Sequence, residues 1–125
     1  MRWAPSAAAA NSGKPPAQRT GDRVTARFRQ WAEQFPCIGD VRGFGAMVGM
    51  ELVTDRESRT PDKALAGRLA AAALARGLVL LTSGTFGNTI RVLAPLTADD
   101  AIIDEGLDVM GAALEAAVGR APALA

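Results

Sequence analysis

The chain has 125 residues, of which 49% are apolar and 22% are charged, a length and composition typical of a single globular domain. Its formal net charge of +1 does not favour a polyanionic partner, so nucleic-acid binding is not predicted. Histidine is absent and Cys37 is the only cysteine, which excludes Ser/His/Asp or Cys/His catalysis, an internal disulfide and a cysteine zinc cluster within this chain. No metal site is predicted.

Residues 1–19 are predicted to form a disordered or linker tail, because Ala, Pro, Ser and Gly dominate them without periodicity, and Pro15-Pro16 argues against a helix there. Pro5 and Ser6 interrupt the early alanines, so this segment lacks the apolar core of a secretion signal. No apolar run approaches the roughly 18 residues that cross a bilayer. We therefore predict a cytoplasmic protein without a membrane partner.

The predicted domain spans residues 20–119 and begins with an amphipathic helix. Thr20 or Asp22 can cap this helix, and Pro36 ends it. Its apolar stripe recurs at steps of four, three and four residues, and consists of Val24, Phe28, Trp31 and Phe35. We expect these side chains to be core anchors, because the arginines of the segment lie on the other side of the helix.

The segment 38–53 is predicted to form two short strands around a bend at Gly43-Phe44-Gly45. In the second strand Val48, Met50 and Leu52 share one face, whereas Gly49 and Glu51 point the other way. The glycines do not indicate a nucleotide loop, because no helix begins directly after them.

The next segment has the pattern of a helix followed by a strand. Thr60 is the predicted cap, Pro61 occupies the first turn, and Gly77 supplies a left-handed end after Arg76. Residues 78–82, with the sequence LVLLT, are then predicted to form a strand buried on both faces. The turn 83–88 leads from it into a second strand, so the two strands form a hairpin.

A last helix is predicted to start after a Thr97 cap and to end in a frayed tail at residues 120–125. Its buried stripe follows helical spacing and comprises Ile103, Leu107, Met110, Leu114 and Val118. The order of helix, strand pair, helix, strand pair and helix predicts an α+β fold, in which a small, mostly antiparallel sheet packs against helices.

Arg91 stands out, because its neighbours Ile90, Val92 and Leu93 favour burial whereas a guanidinium does not. One interpretation is that alternation simply places Arg91 with Thr89 on the solvated face of a half-exposed strand. The other is that its planar fork binds a carboxylate through two parallel hydrogen bonds. The spacing of the residues does not decide between them.

Three stretches together resemble the C-terminal small domain of class III aminotransferases, pyridoxal-phosphate enzymes of fold type I. They read IGDVRGFGAMVGMELV, PDKALAGRLAAAALARGLVLLTSGTFGNTIRVLAPLT and ADDAIIDEGLDVMGAALEAA, and the resemblance covers about Arg23–Val118. The run RGLVLLTSGTFGNTIRVLAPLT is most similar to the 4-aminobutyrate aminotransferase branch. The resemblance implies an amino transfer from an ω-amino acid such as 4-aminobutyrate to 2-oxoglutarate.

The same resemblance implies specific roles. Arg91, in the G-N-x-I-R motif, would bind the carboxylate of glutamate, 2-oxoglutarate or a similar acid, and the loop containing Gly84, Gly87 and Asn88 would shape the mouth of the site. A second matching group is interpreted as structural, forming the bend and an ion pair. It consists of Arg42, Gly43, Gly45 and Glu51.

The large domain of the family has no counterpart in the sequence, and neither lysine suits the buried Schiff base that the cofactor requires. Lys14 lies in the predicted tail and Lys63 on the first turn of a surface helix. We therefore expect a C-terminal fragment that is inactive alone and binds no pyridoxal phosphate by itself. A separate chain carrying the large domain is a candidate partner. The alternatives are a free-standing module that binds a small acid or a partner without catalysis, and a non-functional remnant.

Overall fold

The computed structural model describes residues 16–45, 47–93 and 99–119, and these form a four-stranded antiparallel sheet with helices. The strands are β1 (Ile38–Phe44), β2 (Met47–Leu52), β3 (Leu81–Ser83) and β4 (Thr89–Leu93), in the spatial order β1-β2-β4-β3. The helices are α1 (Pro16–Gln34), α2 (Lys63–Ala75) and α3 (Asp100–Ala117). The predicted α+β class is confirmed. Among the helices of the described residues, none is both long and apolar enough to span a membrane.

Helix α1 begins at Pro16, four residues before the predicted start at Thr20. The expectation that Pro15-Pro16 excludes a helix is wrong for Pro16, because proline is well tolerated in the first turn, where its missing N–H would have no helical partner. Residues 16–19 therefore belong to α1, whereas residues 1–15 and 120–125 of the predicted tails lie outside the described part of the chain. The four-residue apolar stripe predicted for this helix is confirmed, since all of its members are buried.

The core lies between one face of the sheet and the helices. Helices α1 and α2 pack against the sheet, and α3 packs against both of them. The sheet contributes the alternate residues of β2 together with Ile90 of β4, as the period of two predicted. The largest fully buried side chains are Phe28, Ile38, Met50, Leu52, Leu69, Ile90, Met110, Leu114, Val24, Val48 and Val53.

The start of α2 differs from the prediction. Asp62 is the cap, because its Oδ1 accepts a hydrogen bond of 2.9 Å from the backbone N–H of Leu65. Thr60 is instead held in the preceding loop, where its carbonyl accepts a 2.9 Å bond from the N–H of Thr54. The predicted end is confirmed, since Gly77 adopts a φ of +87°.

Helix α3 is capped by Asp99, whose Oδ1 accepts a 3.0 Å hydrogen bond from the N–H of Ile102. The predicted cap, Thr97, lies outside the described residues. Of the predicted apolar stripe, Ile103, Leu107, Met110 and Leu114 are buried, whereas Val118 is only partly buried.

Strand β3 is shorter and more exposed than predicted. It covers Leu81–Ser83, and Leu81 is 56% exposed, while Val79 before it is 72% exposed. The prediction of a doubly buried strand over residues 78–82 is wrong, because β3 lies at the edge of the sheet and pairs with β4 alone. Only Leu78 and Leu80 pack partly against the core. The predicted hairpin of β3 and β4 is confirmed.

Candidate functional site

The face of the sheet that turns away from the helices forms an open polar groove. It has a volume of about 680 Å³. Its floor comes from alternate residues of β1, β2 and β4, and its rim comes from the loop between β3 and β4. The lining residues are Asp40, Arg42, Gly43, Met47, Gly49, Glu51, Ser83, Gly84, Thr85, Phe86, Asn88, Thr89 and Arg91.

Strand pairing aligns two arginines on this floor. Arg42 of β1 is paired with Gly49 of β2, and Gly49 is paired in turn with Arg91 of β4. The two arginines are therefore two strands apart, at roughly 4.8 Å per strand. Because the residue between them is glycine, no side chain separates the two guanidinium groups along this row.

Arg91 is exposed in the groove, whereas its neighbour Ile90 is buried on the helix side. This placement confirms that alternation puts Arg91 and Thr89 on the open face of β4. Within the described part of the chain, the guanidinium of Arg91 makes no hydrogen bond or ion pair. Its five N–H donors are therefore available to an acceptor that comes from outside these residues.

The other groove arginine differs, because a carboxylate network neutralises it. Arg42 Nη2 lies 3.3 Å from Glu51 Oε2, and Arg42 Nε lies 2.8 Å from Asp40 Oδ2. Arg59, from the loop after β2, approaches the other oxygen of Glu51 at 3.5 Å. The predicted ion pair between Arg42 and Glu51 is confirmed.

The sequence did not lead us to predict that Asp40 and Arg59 belong to this ion-pair network. Asp40 carried a usable signal, because it lies two residues from Arg42 on the same face of β1. Arg59 carried none, since it lies in an irregular loop and adopts a left-handed backbone with a φ of +56°, which is uncommon for a residue other than glycine.

The loop between β3 and β4 contains the remaining predicted site residues. Gly84 and Asn88 line the groove, whereas Gly87 packs against the side-chain stem of Lys63. Gly84 and Gly87 have φ angles of +91° and +64°, a backbone that glycine adopts without strain. Asn88 is buried, and its side-chain amide bonds to the protein rather than projecting into the groove.

Among the residues that the structure describes, two ionisable groups have shifted pKa values, and neither lines the groove. Burial raises the pKa of the Cys37 thiol, which favours the unreactive neutral form. Hydrogen bonds from the backbone N–H and the hydroxyl of Ser58 lower the pKa of Asp55. No cluster of three or more metal-ligating His, Cys, Asp or Glu residues occurs in the described ranges. Because the guanidinium of Arg91 lies in the groove without a partner among the described residues, the groove is suited to binding an anion.

Comparisons with known proteins agree with the resemblance. The chain is 46% identical over 90 residues to the 5-aminovalerate aminotransferase DavT of Pseudomonas putida, a match that covers 72% of this chain and 21% of that protein. It is 42% identical over 99 residues to a probable 4-aminobutyrate aminotransferase of Bacillus subtilis, covering 79% of this chain and 23% of that protein. The chain thus spans about a fifth of the length of these relatives.

The fold comparison leads to the same group of proteins. The structure matches a crystal structure of an aminotransferase from Vibrio fluvialis with a TM-score of 0.73 and 28% identity, over 90% of this chain and 25% of that one. The family model described as aminotransferase class-III matches residues 13–114. From its sequence, its fold and the order of its motifs, the chain belongs to the class III aminotransferase family.

Proposed function

We propose that this chain contributes the arginine that binds the substrate carboxylate in a class III aminotransferase, and that this arginine is Arg91. The observation that carries the proposal is a guanidinium exposed in an open groove, without a hydrogen bond or ion pair to any described residue. A guanidinium fork matches the two oxygens of a carboxylate, so it selects both the charge and the orientation of a small acid.

The relatives support the choice of substrate. Their names specify 5-aminovalerate and 4-aminobutyrate, which are ω-amino acids with a terminal carboxylate. The parent reaction we propose is amino transfer from such an acid to 2-oxoglutarate, with glutamate as a further carboxylate ligand. Arg42 is a weaker candidate for the ligand, because an incoming carboxylate would have to compete with Asp40 and Glu51.

The family implies pyridoxal phosphate, which in an intact member supplies the electron sink for amino-group transfer. The described residues do not fit this cofactor, because their lysine, Lys63, is exposed on the first turn of α2 with its stem against Gly87. A Schiff-base lysine needs a desolvated environment that keeps the amine neutral. We therefore propose that the described residues do not transaminate by themselves, and that a large domain would have to supply the cofactor site.

The carboxylate site is tested by titrating the purified chain with 2-oxoglutarate in a calorimeter. We expect wild type to bind and Arg91→Ala to lose at least about 10-fold in affinity, because a charge-assisted bidentate contact is removed. Arg29→Ala is the control, since it removes an equal charge from an exposed position on α1. Equal affinities for wild type and Arg91→Ala would contradict the assignment of Arg91.

Catalytic silence has a separate test. The chain is incubated with pyridoxal phosphate, 4-aminobutyrate and 2-oxoglutarate, and the formation of glutamate is followed. We expect none above the protein-free control, and glutamate formation by the purified chain would overturn this part of the proposal.

The second candidate function is a free-standing module that binds a small acid or a partner without chemistry. Two observations favour it. Residues of this one chain line the groove, and the opposite face of the same sheet packs on a continuous core. Both candidates predict that the isolated chain binds 2-oxoglutarate through Arg91 without forming glutamate, so this outcome leaves the second candidate standing. Absence of binding means that the site requires a large domain.

A further inference from the structure

Asn88 is a buried polar residue at the point where the loop from β3 enters β4. Only 4% of its surface is accessible to solvent. Its Nδ2 donates a 2.8 Å hydrogen bond to the carbonyl of Leu52, and its own carbonyl accepts a 2.8 Å bond from the N–H of Leu52. Asn88 is therefore attached to the end of β2 through both its side chain and its backbone.

This attachment continues the ladder between β2 and β4. Gly49 is paired with Arg91 and Glu51 with Thr89, so Leu52 and Asn88 are the next residues to meet in the same register. Side chains alternate between the faces of a strand, and a slip of one residue therefore moves every side chain to the opposite face. In β4 such a slip would turn Arg91 towards the helices and a neighbouring apolar residue towards the groove.

The preceding loop does little to prevent such a slip. Gly84 and Gly87 adopt positive φ angles, and glycine allows many other backbone conformations at little cost. The carbonyl of Leu52, by contrast, also accepts a 3.0 Å hydrogen bond from the N–H of Asp62, at the start of α2. The amide of Asn88 thus joins β4 to a point where β2 and α2 are already held together.

We propose that Asn88 is a positioning residue, whose side-chain amide locks the register of β4 and thereby holds Arg91 on the groove face. The functional meaning of this role rests on the proposed binding of a carboxylate by Arg91. The lock itself is a property of the sheet, and it is measurable without a ligand.

The first test follows strand register by NMR in wild type, Asn88→Ala and Asp99→Ala. Asp99→Ala is the matched control, because it also removes one hydrogen bond between a side chain and the backbone, here the bond that the carboxylate accepts from the N–H of Ile102 at the start of α3. We expect the cross-strand contacts between Gly49 and Arg91 to weaken or shift in folded Asn88→Ala and to persist in the control. Wild-type contacts in Asn88→Ala would overturn the proposal.

Asn88→Asp is a second variant, which conserves the size of the side chain. It allows the strand register to be compared with that of wild type even if Asn88→Ala does not fold. Its carboxylate has no donor for the carbonyl of Leu52, whereas the protonated carboxyl has one. We expect the contacts between Gly49 and Arg91 to be disturbed at neutral pH and to recover as the pH falls and the introduced carboxyl is protonated. Contacts that stay like wild type at every pH would count against a lock made by the amide.

Ligand binding connects the lock to function. In folded Asn88→Ala we expect the affinity for 2-oxoglutarate to fall by about 10-fold, because the carbonyl of Leu52 loses one of its two donors and β4 loses its register. Asp99→Ala should bind like wild type. Unchanged affinity in Asn88→Ala with a shifted register would contradict the positioning role. If wild type itself does not bind 2-oxoglutarate, the proposed function fails for the isolated chain, whereas the NMR comparison still decides the role of Asn88.

Discussion

The two faces of strand β2 have opposite environments although their residues alternate along one short segment. Val48, Met50 and Leu52 are completely buried under the helices. Met47, Gly49 and Glu51 line the open groove. Burial of the first set removes apolar surface from water and stabilises the fold, whereas the second set makes exposed contacts that contribute little free energy of unfolding. One face can therefore change with function while the other maintains the fold.

The largest expected effect contrasts two methionines of this strand. Met50 is 0% exposed and Met47 is 40% exposed. We expect Met50→Ala to lower the free energy of unfolding by about 2–5 kcal/mol, because it removes buried methylene groups and leaves a cavity. Met47→Ala, the matched control, should change it by less than about 1 kcal/mol. Urea unfolding followed by circular dichroism measures both, and equal losses would refute the distinction between the faces.

An intermediate effect concerns the cap of α2, which lies on the helix side of the sheet. Asp62→Ala removes the acceptor for the N–H of Leu65, so we expect a loss of about 1 kcal/mol in the free energy of unfolding. Asp62→Asn should retain most of it, because asparagine also caps helices well. Urea unfolding of both variants beside Thr60→Ala checks the assignment, and a larger loss for Thr60→Ala would restore Thr60 as the cap.

The smallest expected effect lies in the exposed loop after β2. The pKa of Asp55 is lowered from 3.8, because the backbone N–H and the hydroxyl of Ser58 donate to its carboxylate. A carboxyl whose pKa is lower in the folded state stabilises above its unfolded pKa, and this contribution is lost as the pH falls through the folded value. We therefore expect wild type to lose stability more steeply below pH 3.8 than Asp55→Ala. Parallel curves of stability against pH would show that Asp55 contributes nothing.

Much of the helix side could be predicted, because burial imposes a period on the sequence. The stripe of α1 and the alternation in β2 follow from the spacing of their apolar residues, and Gly77 follows from the left-handed backbone that ends a helix. The doubly buried strand was a wrong prediction for a related reason. A run such as Leu78–Leu81 has no period, so its composition does not tell a central strand from an edge strand.

On the groove side the sequence indicated candidate binding residues but not the contacts between them. Arg91 was singled out because a charge stands among apolar neighbours, yet its lack of a partner among the described residues depends on where β1 and β2 place their carboxylates. The role of Asp62 at α2 was hidden, because Thr60, Pro61 and Asp62 offer two capping side chains within one turn. Which of them caps depends on the hydrogen bond that holds Thr60 in the loop.

The amino-acid sequence alone predicts the element types, the α+β class, the core stripes and the membership of the class III aminotransferases, because hydrophobic period and motif order are local and linear properties. Three-dimensional pairing fixed the strand order, the edge position of β3 and the neutralisation of Arg42 by Asp40 and Glu51. It also decided that Asn88 faces inward to Leu52 while Arg91 faces outward. These features depend on pairing between segments that are distant in the sequence. The residues of one strand do not specify which strand lies beside it in the sheet.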